Sequence, residues 1–271
     1  MTPVRPEFVP EAGLDREEMH TLQRELSSVA TFADDLRFLP SDVRLEEPVR
    51  PDDRSLGSFS GGEPNRTGSP VVAGVDQAFV GDRAVSAVVL LQDGSVVGRT
   101  HAVSEPPIPY VPGLLAFREG GPIVDALVRL EVEPDLLVFD GSGRIHFREA
   151  GLATHIGVVF DLPSVGVAKS LLCGTPDEPP GGRPAGWSTP IRVGPDDDVA
   201  APEGTVLGYA YQSRQYDDEP RINPLYVSPG HRVSAETARD LVAALCAGYK
   251  LPEPTRLADR FADALKRDLA E

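Results

Sequence analysis

The sequence predicts an α/β fold with one main domain: three antiparallel strands, a helix, then parallel strands alternating with helices. Three observations carry this. Residues 71–80, 84–92 and 95–103 are short β-rich apolar runs divided only by the turn sequences GDR and DG, as in a meander of hairpins. Residues 114–132 then have the length and spacing of a helix. The next run, DLLVFDG (135–141), is apolar up to its terminal Asp-Gly, as a strand buried on both faces is.

The elements follow in order. Residues 15–31 carry Leu22, Leu26 and Val29 on one helical face. Residues 40–70 turn to Pro, Gly and Ser, the composition of a flexible insertion between an N-terminal helical segment (1–39) and a main domain (71–271). After the meander comes a Pro-rich loop, SEPPIPYVPG, and in the following helix Gly120-Gly121-Pro122 marks a kink or break. Residues 149–158 form a short helix, and 164–172 a buried strand running into a helix. Residues 174–203 are rich in Pro, Gly and Asp and read as loop. Strands are expected at 205–212 and 224–230, then a helix capped by Ser234 and stopped by Gly248. Thr255 caps a last helix with Leu257, Phe261 and Leu265 on one face. This order is that of a ribonuclease H-like mixed sheet flanked by helices.

Composition bounds the possibilities. A chain of 271 residues with 41% hydrophobic and 25% charged residues is ordinary globular material. No apolar run approaches the roughly 20 residues of a membrane helix, and the N-terminal stretch lacks an apolar signal core, so a cytoplasmic monomer with no membrane partner is expected. Two cysteines, Cys173 and Cys246, make no disulfide framework and read as buried thiols.

Charge is the oddity. Acidic residues number 42 against 26 basic ones, a formal net of -16 spread along the chain, and only Lys169, Lys250 and Lys266 are lysines. Taken alone, this argues against nucleic acid as a partner, because phosphate binding rests on Lys and Arg.

Three carboxylates stand out against that reading. Asp76 interrupts an apolar first strand, Glu119 lies on the first core helix, and Asp140 ends the first parallel strand, where open α/β sheets place ligands. Each alone also fits an ordinary turn, strand end or solvated helix. Gathered together they would repel one another and need a cation, and an oxygen-only donor set selects a hard ion such as Mg²⁺, which suits phosphodiester hydrolysis.

The wording around them is more specific. VAGVD (72–76), PYVPGLLAFRE (109–119), VFDGSG (138–143), GLATHIG (151–157), VGVAKSLL (165–172), VSPGHRVS (227–234) and LPEPTRLAD (251–259) occur in this order and together resemble endonuclease V, a family that acts on deaminated purine in nucleic acid. The resemblance covers about residues 71–269, with a weaker match at 22–26. It implies that Asp76, Glu119 and Asp140 hold Mg²⁺, with Mn²⁺ as a possible substitute. It adds His231 as a fourth active-site residue, and Lys169 as a cation near phosphate or carboxylates. Tyr110, held between Pro109 and Pro112, looks like a wedge that fills the gap left by an extruded nucleotide. Pro112, Gly113, Leu115, Gly141, His146 and Gly151 match positions around the flipped-base pocket. The implied substrate is DNA containing deoxyinosine, cut at the second phosphodiester on its 3′ side; the rivals are an inosine-specific endoribonuclease and a non-catalytic nucleic-acid-binding protein on the same fold. Ser142, the stretch 40–68 and the long acidic loop before His231 depart from the family pattern. Binding would then rest on local arginines, with Arg118, Arg148 and Arg232 as candidates, despite the net charge.

Overall fold

The computed structural model describes residues 1–11, 13–50, 68–218 and 221–270. Among these residues its centre is one mixed sheet of nine strands in the order β3-β2-β1-β4-β5-β9-β8-β7-β6. The meander of β1 (Val72–Val80), β2 (Arg83–Gln92) and β3 (Ser95–Ser104) forms as the turn sequences dictate. Asp93 and Gly94 both take positive φ, 49° and 68°, the twist a two-residue hairpin needs. β4 (Leu136–Asp140) pairs parallel to β1, and β5 (Ser164–Ala168) parallel to β4.

Beyond β5 every pairing is antiparallel: β9 (Leu225–His231), β8 (Val206–Tyr211), β7 (Ser188–Arg192) and β6 (Thr175–Pro176). The region 174–203 is thus not all loop, since it supplies the edge strand β6 and its neighbour β7. Their prolines, Pro176 and Pro190, hide the strand pattern but are tolerated near a sheet edge. Residues 169–172 do not continue into a helix; the chain bends there.

Alternation along the strands divides the helices between two faces. Val88 and Leu90 of β2 join the core under α1 (Arg16–Val29), α2 (Leu115–Val128) and α3 (Leu152–Phe160). Val85, Ala87, Val89 and Leu91 face α5 (Glu253–Ala270). α4 (Ala235–Leu245) covers β8 and β9 on the α5 side. Ser234 caps α4 through Thr237 N, as the sequence indicates, whereas α5 starts two residues before Thr255. α2 runs without a break through Gly120-Gly121-Pro122. Gly120 is required there, because a Cβ would fall 2.7 Å from the Pro10 ring.

Residues 40–43 form a single 3-10 turn, and Val43 and Val49 are buried. Val49 is clamped on α5: its N–H donates to Glu253 and its carbonyl accepts from Arg256. The rest of the expected 40–70 insertion, residues 51–67, lies outside the described residues. No helix among the described residues is long and apolar enough to cross a membrane.

Candidate active site

The register of β1 and β4 sets the site. Val75 pairs with Phe139, so the next residues, Asp76 and Asp140, end up side by side. β5 adds its neighbour: Val167 lies opposite Asp140, and two residues on Lys169 Nζ donates to Asp140 Oδ2 at 2.5 Å. Lys169 is half exposed rather than buried. Glu119 approaches from α2, whose backbone is tied to β1 where Gln77 Nε2 donates to the Glu119 carbonyl at 2.8 Å. A cavity of about 360 Å³ opens here, lined by Asp76, Glu119, Asp140 and Lys169 at one end. Gly113, Leu115, Gly141, His146 and Gly151 line the rest, with Tyr110 at the rim.

Burial, then the neighbouring Asp140, pushes Asp76 well above the usual carboxylate range. Burial raises Glu119 to about 7, against the pull of Arg118. For Lys169, burial pulls the pKa down, but the bond to Asp140 and the charges of Asp76 and Asp259 outweigh it and hold the amine protonated. The site is therefore short of positive charge. Its all-oxygen donor set fits a hard divalent cation, and the electrostatic strain gives a reason for one to bind. In this conformation Lys169 occupies one Asp140 oxygen, and among the described residues no three His, Cys, Asp or Glu side chains are arranged to hold one ion.

Glycine shapes the cavity wall at two positions. Gly113 ends the PYVPG loop with φ of 80°, a left-handed conformation that costs other residues strain. Gly151 abuts backbone so closely that a Cβ would collide with the Ser142 carbonyl. His146 is buried; its Nε2 donates to the Gly113 carbonyl at 3.1 Å, and its Nδ1 accepts from Arg148 N at 3.2 Å. Pro112 is exposed on the loop and does not line the cavity.

His231 does not join this group. β9 runs antiparallel to β5, so His231 pairs with Ser164 at the opposite end of β5 from Lys169, roughly 10 Å along the sheet from the level of Asp140. There it is buried, its Nε2 donating to Asp161 Oδ1 at 3.0 Å and its Nδ1 accepting from Thr31 N at 3.1 Å. Arg232 is likewise committed to Asp35 and to the Asp161 carbonyl. Arg118 stacks on Phe79 and donates to the Ile108 carbonyl. His231→Ala should therefore lower the melting temperature by unpairing buried groups, at about 1–3 kcal/mol. Loss of catalysis with an unchanged melting curve would return His231 to the chemistry.

Three contributors escaped the sequence reading. Asp259, on α5, lies close enough to Asp76 to raise its pKa further. It closes the LPEPTRLAD string, so the motif contained it, but only the packing of α5 on β1 brings it near. Gln77 ties α2 to the first strand. Gln23, fully buried on α1, donates to the Gly113 carbonyl at 2.8 Å and accepts from Arg148 Nε at 2.7 Å. The cysteines are partly buried and free, and burial pushes both thiols up to about 12, which makes them inert at neutral pH.

The core histidines give a pH signature. Burial lowers His155, whose Nε2 bonds the Phe8 carbonyl, and His146 to about 4 from 6.5. Between those values the unfolded chain binds more protons, so this part of the stability is complete above pH 6.5 and is lost as pH falls toward 4. The raised Asp76 and Glu119 act in the opposite sense, gaining stability as pH falls. The informative quantity is thus a difference. His155→Gln should melt below wild type at pH 7, and the gap should close as the pH is lowered to about 4. A pH-independent gap in differential scanning calorimetry would show that His155 titrates normally.

A mixed sheet whose adjoining central strands end in an acid-lined cavity defines a class: a ribonuclease H-like α/β protein. The profile of the family described as Endonuclease V matches residues 61–260. The chain belongs to the endonuclease V family. It is 57% identical over 261 residues to the Endonuclease V of Natronomonas pharaonis, covering 96% of each chain. Among solved structures, the Streptomyces avermitilis Endonuclease V is 32% identical and superposes with a TM-score of 0.70, covering 96% of each chain. The Ciona intestinalis Endonuclease V, at 24% identity, shares the fold with a TM-score of 0.67, covering 93% of this chain and 98% of its own. It was crystallised with a 24mer DNA containing an inosine followed by a ribo-adenosine.

Proposed function

We propose that the protein is a Mg²⁺-dependent DNA repair endonuclease. It recognises deoxyinosine and hydrolyses the second phosphodiester on the 3′ side, leaving 3′-hydroxyl and 5′-phosphate ends. One observation carries the reading: the cavity joins an acidic end, Asp76, Glu119 and Asp140, to a wall of glycine backbone beneath an exposed tyrosine. The inosine-containing oligonucleotide bound by the Ciona relative supports the substrate class.

Asp76, Asp140 and Glu119 would hold the cation, with Asp259 adding charge from α5. A bound Mg²⁺, or Mn²⁺ in its place, supplies charge neutralisation at the scissile phosphate and a more acidic water. Lys169, released from Asp140, would bind a phosphate oxygen of the strand being cut. Tyr110 enters the base stack and fills the gap, while backbone groups at Gly113, Gly141 and Gly151, beside Leu115, meet the extruded base. His146 holds the Gly113 carbonyl in place as a neutral donor.

A labelled duplex with one central deoxyinosine tests the proposal. Wild type should nick it in Mg²⁺ and leave the all-adenine control intact; an uncut inosine duplex would refute it. A second reading, cleavage of inosine-containing RNA, is favoured by the ribo-adenosine beside the inosine in the Ciona complex. Competition between ribo- and deoxyribo-inosine strands decides between them.

A further inference from the structure

We propose that Arg16, His20 and Arg24 of α1, together with Arg148, form a ridge that binds the phosphate backbone of the strand whose base enters the cavity. This rests on the nucleic-acid reading above but names a surface that the cavity does not include. Spacing by four places the three α1 residues on one face, with Arg16 and Arg24 exposed and His20 half-buried. The rise of 1.5 Å per residue sets them about 6 Å apart, close to two nucleotides of a strand that advances roughly 3.4 Å per phosphate. Arg148 joins them because Gln23, on the adjoining buried side of α1, accepts from its Nε.

The ridge is fixed to the wedge loop. Gln23 also donates to the Gly113 carbonyl. Met19 of α1 packs with Leu114 and Phe117, and Val111 of the PYVPG loop packs against the same cluster. Backbone gripped by the ridge is therefore held in a set position relative to Tyr110 and the cavity.

The charge arrangement suits a polyanion. On a chain of net charge -16, cations here crowd one another: beyond the effect of burial, Arg148, Arg16 and Arg24 all depress His20. Among the described residues neither Arg16 nor Arg24 has an ion-pair partner. Of the nearby acids, Glu18 is spent in the capping box with Asp15, Glu17 and Glu25 border the stripe at its two ends, and Asp198 approaches Arg148. Arg16, Arg24 and Arg148 repel one another across a His20 they keep neutral, and phosphates would relieve that repulsion.

The test is fluorescence anisotropy with a labelled deoxyinosine oligonucleotide and its plain counterpart, without divalent metal, from about 50 to 200 mM KCl. Losing two phosphate contacts in the double variant Arg16→Ala/Arg24→Ala should reduce the slope of log affinity against log salt by about 1.4 to 1.8. The double lysine variant should keep the wild-type slope, as should Arg239→Ala, whose guanidinium stacks on Tyr209. Melting curves confirm folding. An alanine variant with the wild-type slope, or a wild type whose binding ignores salt, overturns the ridge. Nicking of the same oligonucleotide by wild type in Mg²⁺ is scored separately. A changed slope without nicking keeps the ridge and refutes the proposed activity; nicking with an unchanged slope does the reverse.

Discussion

Asp76→Asn should cut Mg²⁺-dependent nicking of a deoxyinosine duplex by on the order of 10³-fold or more, while raising the melting temperature of the metal-free protein. The two effects have one cause. Asp76 sits half-buried beside Asp140 and within reach of Asp259, so its charge is unfavourable until a cation arrives. An amide has the same shape without the charge and relieves the repulsion, but it is a poor ligand for a hard ion. Ordinary structural carboxylates behave in the opposite way, losing stability on neutralisation. Calorimetry and a single-turnover nicking assay read the two signs. A variant that loses stability while keeping its activity would show that Asp76 is a structural residue.

Tyr110→Ala separates recognition from folding in the same manner. Tyr110 is 63% exposed, so removal of its ring should leave the melting temperature within experimental scatter. Stacking of a base on an aromatic ring is worth about 1–3 kcal/mol, so affinity for a deoxyinosine strand should fall by about 5- to 150-fold. The loss should be larger in duplex than in single strand, where there is no stack to open. Equal losses on both substrates, or a fall in stability, would mean that Tyr110 packs the loop rather than entering DNA.

Local signals in the sequence were reliable where chain neighbours determine the outcome. The meander follows from alternation and the Asp93-Gly94 turn, and its strand limits fall within a residue of those expected. The adjacency of Asp76 and Asp140 was legible because a parallel strand following the meander has few places to pair. What escaped depended on distance along the chain. Asp259 reaches Asp76 only through the docking of α5, and Gln23 reaches Gly113 only because α1 folds back over the loop. His231 was misplaced because the direction of β9, antiparallel to β5, decides which end of the sheet its last residue reaches. The edge strand β6 and its neighbour β7 were hidden by Pro176 and Pro190. The net charge pointed away from nucleic acid because a sum over 271 residues says nothing of where individual arginines stand.

The pairing of Lys169 with Asp140 makes the cavity addressable by chemistry that needs neither substrate nor turnover. The chain has three lysines, so an amine-acylating reagent finds few targets, and mass spectrometry can follow each separately. Lys169 is accessible, yet its carboxylate neighbours keep it in the protonated, unreactive form. Its acylation rate is therefore a gauge of the charge around it. Removing a neighbouring carboxylate should quicken labelling at Lys169 and leave Lys266 unchanged, reporting the state of the acidic cluster one residue at a time.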